Sequence, residues 1–191
     1  DEIEEYAAGY FGTLAGADRC YLAREEPVTR HISWTHEWVA DGVPSLKERF
    51  NASDSAIFSS SSARIQAFET VSVKSVDAMP AETEADRKHK AMLQAMGVKS
   101  HLLLPLSIGP DVIGVLALDT TRKEASWQDE DIDILKIFAQ IIANALSRKN
   151  ADKALHESEA LYRTVFESTG TAMMVLGEDK IVVRANREME R

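Results

Sequence analysis

Cys20 and the five histidines, His31, His36, His89, His101 and His156, are the side chains best suited to nucleophilic or metal chemistry. A catalytic thiol needs an imidazole beside it, and a zinc site needs Cys and His at short paired spacings. The histidines follow no such spacing. His31 and His36 stand five apart on one expected strand, hence on opposite faces. His36 could approach Cys20 in space, but nothing in the sequence pairs them. Cys20 therefore reads as a small buried apolar residue. The sequence offers no catalytic residue and no metal ligand set.

Gly109 and Gly114 raise a second chemistry, the cradling of a phosphate. A phosphate loop needs its last glycine followed by Lys and Ser or Thr at a helix start. Here Gly114 is followed by Val115 and Leu116. "VKSHLLLPLSI" and "DVIGVLALDT" are two apolar runs of strand length around Gly-Pro-Asp, which is hairpin punctuation. Gly114 marks a place where something packs closely on a strand.

The elements around these residues follow from periodicity. Ile3, Tyr6, Ala7, Tyr10, Phe11 and Leu14 form a helical stripe. "DRCYLAREE" and "TRHISWTHEWVA" predict two strands around a turn at Pro27, the second with Ile32, Trp34, His36 and Trp38 on one face. Residues 41–56 read as irregular, with a short helix near Ser60 to Phe68. "TVSVKSV" predicts a strand. "AETEADRKHKAMLQAMG" predicts a helix with Met92, Leu93 and Met96 on one side and Gly97 at its end. A long helix is expected over Trp127 to Ser168, on the order of 60 Å if unbroken, capped by Ser126 with Asp129 three residues on. Its first half is broadly apolar. Its second half narrows to Ala151, Leu155, Ser158, Tyr162 and Val165, a weak coiled-coil seam. After Gly170 a strand, a turn and a strand open a unit that the sequence does not complete.

The totals narrow the classes. The 191 residues are 45% hydrophobic and 28% charged, with a net charge of −9 and a single cysteine. That acidity disfavours nucleic acid as a partner. One cysteine forms no intramolecular disulfide, which fits a reducing, cytoplasmic setting. No apolar run approaches the roughly 18 residues of a membrane span. The N-terminus is unlike a signal peptide, and a start without Met fits a piece of a longer protein.

"DAMP", "ADRKHKAMLQAMGVKS", "LLLPLSIGPDVIGVLALDTTR" and "WQDEDIDILKIFAQIIANAL" together resemble a GAF domain. "ALHESEALYRTVFESTGTAMMVLGEDKIVVRANREMER" resembles the start of a PAS domain. The resemblance implies an α+β fold: a GAF-like antiparallel sheet flanked by helices, with a long C-terminal signalling helix. It divides the chain into a GAF sensor domain over 1–147, a helical coiled-coil linker over 148–161 and a PAS fragment over 162–191. It implies a regulatory sensory module of a multidomain signal-transduction protein, a sensor histidine kinase or a diguanylate cyclase. The alternatives are the regulatory domain of a transcription factor and a GAF-type methionine sulfoxide reductase. The reductase chemistry depends on several cysteines, and this chain has one.

A small-molecule ligand is implied, of unknown identity. Trp34, His36, Phe68, Met92 and His101 are the expected pocket residues. Haem held by His36 or His101 is disfavoured, and so is a bilin, which would need a cysteine in the mid-domain helices. No Asn precedes a Lys in the sequence, so the signature of cyclic-nucleotide binders is missing. The expected partners are a second copy through helix 127–168, an unknown small molecule, and downstream PAS and output domains, with neither nucleic acid nor membrane engaged by this segment.

Overall fold

The computed structural model describes residues 2–25, 31–47, 53–54 and 59–190. The expected turn at Pro27 lies outside the described residues. The chain divides into two compact units, Asp1–Ala145 and Leu146–Arg191.

In the first unit a six-stranded antiparallel sheet runs β3-β2-β1-β6-β5-β4. Its strands are β1 (Arg19–Glu25), β2 (His31–Val39), β3 (Ser53–Asp54), β4 (Val71–Val73), β5 (Ser100–Ile108) and β6 (Asp111–Thr120). The two-residue edge strand β3 falls in the segment expected to be irregular; it is too short to carry an alternating pattern. The central hairpin is as the two apolar runs predict: β5 and β6 pair from Ser100↔Thr120 to Ile108↔Asp111, turning at Gly109 with φ +57°. Gly114 sits where a Cβ would stand 2.9 Å from the Ala23 carbonyl oxygen, so only glycine lets β1 approach there.

Alternation assigns the two faces. Cys20, Leu22, Leu102, Leu104, Leu116 and Leu118 are buried toward the helices from the chain's two ends. Helix α1 (Glu2–Leu14) lies on this side. A Cβ at Gly12 would come within 2.3 Å of the Trp38 ring, so the indole occupies the space a side chain would need. The opening of the last helix, α4 (Asp129–Ser168), joins α1 through Phe11 and Phe138, whose ring centroids are 4.7 Å apart. The start of α4 differs from expectation. Asp131 accepts the Gln128 N–H at 3.2 Å, while Ser126 engages only the Gln128 side chain. The acidic first turn thus satisfies its own amide without a serine cap.

The opposite face is covered by α2 (Ser59–Gln66) and α3 (Glu84–Ala95). A reciprocal capping box starts α3: the Thr83 hydroxyl accepts from the Asp86 N–H, and the Asp86 carboxylate accepts from the Thr83 N–H, both at 3.1 Å. Gly97, at φ +72°, ends it. Leu93 and Met96 are buried and Met92 is half-buried, on the side the sequence indicates. The same helix buries His89 completely, which the apolar pattern did not register.

One expectation fails on β2. Its register with β1 pairs Leu22↔His36 but Ala23↔Trp34, leaving Thr35 as an extra residue. A bulge of this kind changes the phase of alternation. Trp38 faces α1, whereas Trp34 stacks on Tyr21 on the other side, with ring centroids 4.0 Å apart and planes 11° apart. The tryptophans that strict alternation places together are therefore separated.

The second unit holds the later turns of α4 and a hairpin of β7 (Met174–Leu176) and β8 (Val182–Ala185). Asn186, fully buried, ties it together. Its amide nitrogen donates to the carbonyls of Phe166 and Thr171, and its carbonyl oxygen accepts from the Met173 and Met189 amides. Arg184 lies over the Tyr162 and Phe166 rings and reaches Glu167 at 3.5 Å. Val175, Ile181, Val182 and Val183 remain exposed.

Candidate functional site: a cavity beside a buried charged row

The cavity lies between the α2 face of the sheet and α2 itself, and measures about 60 Å3. The sheet supplies Tyr21, Ala23, Leu103, Val115 and Ala117, the last three aligned across β5 and β6. The bulge delivers Trp34 to the wall, and α2 contributes Ser61, Ser62 and Ile65. Most of this surface is apolar, which follows from inward-facing strand positions filled with Ala, Val and Leu.

At one end the wall turns polar. Arg19, Asp119 and His101 occupy one row across β1, β6 and β5, one inward step beyond Tyr21, Ala117 and Leu103. All three are essentially inaccessible to solvent. His101 Nδ1 lies 2.6 Å from Asp119 Oδ1, and Arg19 Nη1 donates to Asp119 Oδ2 at 3.3 Å. Arg19 Nε faces Glu37 Oε1 at 3.5 Å, an ion pair without hydrogen-bond geometry. Glu37 in turn accepts from the Leu46 and Lys47 amides and the Ser45 hydroxyl. Buried charges persist only when paired and hydrogen-bonded, and this row satisfies that through alternating signs. With Asp119 ionised, the ring proton of His101 belongs on Nδ1. His101 Nε2 is buried and meets no hydrogen-bond partner among the described residues.

His89 stands beside His101 with ring centroids 6.0 Å apart, and its Nδ1 is 3.3 Å from the Ser61 hydroxyl. Burial first, and then the neighbouring His101, push the pKa of His89 down to about 4. His89 is therefore neutral at neutral pH.

The expected pocket residues separate. Trp34 and His101 both line the cavity. His36 belongs to the β2 segment after the bulge, paired with Leu22. Met92 packs against the core beside the cavity, and Phe68, at φ +62°, is exposed just beyond α2. Sequence reading missed Tyr21, Arg19 and Asp119. Arg19 and Asp119 each stand next to apolar strand residues, and an inward charge on a strand was the available signal. Among the described residues no group of three or more His, Cys, Asp or Glu side chains forms a metal site, and no helix is long and apolar enough to cross a membrane.

Antiparallel sheet, terminal helices on one face and short helices over a cavity on the other define an α+β domain with a small interior chamber. Residues 10–146 match the GAF domain family, and the chain belongs to it. This chain is a sensory module of that family rather than a catalyst. No curated protein matches the chain.

Similar folds occur among solved structures. The blue-light absorbing form of the PixJ GAF domain from Thermosynechococcus elongatus has a TM-score of 0.68 at 18% identity, covering 82% of this chain and 90% of that one. The photoproduct state of a Synechocystis GAF domain has a TM-score of 0.69 at 20% identity, covering 81% and 97%. A domain of a candidate two-component sensor histidine kinase protein from Sinorhizobium meliloti has a TM-score of 0.62 at 17% identity, covering 81% and 96%.

The residues here do not fit a covalently held bilin. The only cysteine, Cys20, is fully buried on the α1 face, away from the cavity. Burial, and then the Asp119 charge, push its thiol far above the ordinary range, so it is not a ready thiolate.

Proposed function

We propose that this chain is the sensing and relay segment of a multidomain signal-transduction protein, a sensor histidine kinase or a diguanylate cyclase. In this reading residues 1–147 sense, 148–161 link, and 162–191 begin a PAS domain. A small molecule in the cavity alters how two copies of α4 pair, and the pairing passes the change toward the output.

The outward apolar frame of α4 carries the reading. Ile134, Ile141, Leu155 and Tyr162 stand seven or fourteen residues apart, and Ile137 and Val165 fall three positions after members of the same frame. All six are about half exposed or more in the single chain. Arg148, Asn144, Ala151 and Ser158 complete the frame. Apolar side chains repeating at a and d positions are the seam of a two-stranded coiled coil, and polar residues within it fix register at some cost in stability. The interrupted middle matches a pairing that shifts rather than one that locks.

Light scattering on the 191-residue chain tests this. A dimer is expected at micromolar concentration, with Ile141→Glu and Leu155→Glu each converting it to monomer while the circular dichroism of the sheet is kept. A monomer at all concentrations overturns the relay.

A further inference from the structure

We infer that the cavity takes a neutral, single-ring aromatic molecule bearing one hydrogen-bond donor, of which phenol is the simplest, and that His101 Nε2 receives that donor. This deepens the sensory reading by naming the ligand class at the same site.

Size comes first. A water needs roughly 10–15 Å3 of such space, so a cavity of about 60 Å3 holds the equivalent of about four to six waters. That is the bulk of one aromatic ring. The walls come next. Tyr21, Trp34, Ile65, Leu103 and Val115 offer aromatic and aliphatic surface, which rewards a flat apolar body and penalises a bare charge.

Polarity comes last. The Ser61 hydroxyl already meets His89. His101 Nε2 is the buried cavity-wall nitrogen that lacks a partner among the described residues. Its role is set from behind: Asp119, held by Arg19 on one oxygen, accepts a hydrogen bond from the Nδ1–H on the other at 2.6 Å. A ring protonated on Nδ1 leaves a lone pair on Nε2. A buried acceptor without a donor is costly, so the ligand that relieves it presents an O–H or N–H and carries no charge of its own.

Isothermal titration of the intact chain with phenol, toluene and benzoate tests the class, alongside nitrogen-15 spectra of labelled histidine. Phenol is expected to bind about tenfold more tightly than toluene, the usual worth of one hydrogen bond, and benzoate more weakly than either. The His101 Nε2 resonance should move upfield with phenol and stay in place with toluene. His101→Phe should erase the preference for phenol; the wild-type nitrogen shift supplies the same information if that variant does not fold. Benzoate binding most tightly, toluene matching phenol, or no probe binding at all would each overturn the inference. Such a failure is separable from that of the relay, which light scattering reads without any ligand.

Discussion

The two faces of the central sheet are built from the same strands and carry opposite kinds of order. Toward α1 and the start of α4, Leu22, Leu102, Leu104, Leu116 and Leu118 close the space with aliphatic carbon. Toward α2 and α3, the same strands present a buried charged row and the wall of a cavity. One face holds the domain together by dispersion and exclusion of water. The other keeps polar groups desolvated beside a cavity, an arrangement that costs stability. Where a fold tolerates that cost, function is the ordinary reason.

The charged row should give the largest effect. Asp119→Ala leaves buried Arg19 with Glu37 as its remaining ion-pair partner and His101 Nδ1 without its acceptor, and urea unfolding should register a loss of about 3–5 kcal/mol. Replacing Arg19, Asp119 and His101 together with apolar residues of similar volume should recover most of it. A single-site loss below about 1 kcal/mol would mean the row is solvated and the contrast between faces is false.

Leu116→Ala, on the aliphatic face, should cost about 3 kcal/mol, read by the same unfolding curves. Its slope with denaturant should be unchanged, since the surface exposed on unfolding is the same.

Acid should act on the cavity face through His89. His89 titrates near 4 when folded against an ordinary value of 6.5, so the unfolded chain binds more protons in between. Stability is therefore full above about pH 6.5 and falls as pH drops toward 4, by about 3 kcal/mol at most. His89→Gln should flatten that window in a series of melts from pH 7 to 4, while leaving the carboxylate-driven loss at lower pH.

Filling experiments give the smallest signal and the sharpest contrast. Ala117→Val projects into the cavity and should change stability by less than about 1 kcal/mol, whereas Ala143→Leu, in the close-packed layer of α4, should cost about 1–3 kcal/mol. Equal costs would mean the chamber is already full.

The sequence made the sheet and helices legible because their signals are local: the β5–β6 hairpin through Gly109, the acidic start of α3, the apolar sweep of α4. Of the ten residues lining the cavity, Trp34 and His101 were legible for the same reason, since both sit on recognisable strands. The rest depended on long-range facts. The bulge at Thr35 has no glycine or proline to announce it, and it alone decides that Trp34 and Trp38 part company. The pairing of Arg19 with Asp119 joins residues 100 positions apart, so nothing within either strand's neighbourhood names the other. His89 is hidden by its own helix, where a polar run of Asp86, Arg87 and Lys88 masks an inward imidazole.

Cys20, fully buried in β1 between α1 and β6, is also a built-in clock. Because the chain has no second thiol, an alkylating reagent can strike only when the first unit opens that far. The rate of modification under native conditions therefore counts opening events directly, without any added label, and slowing of that count on soaking with phenol would convert chamber occupancy into a number.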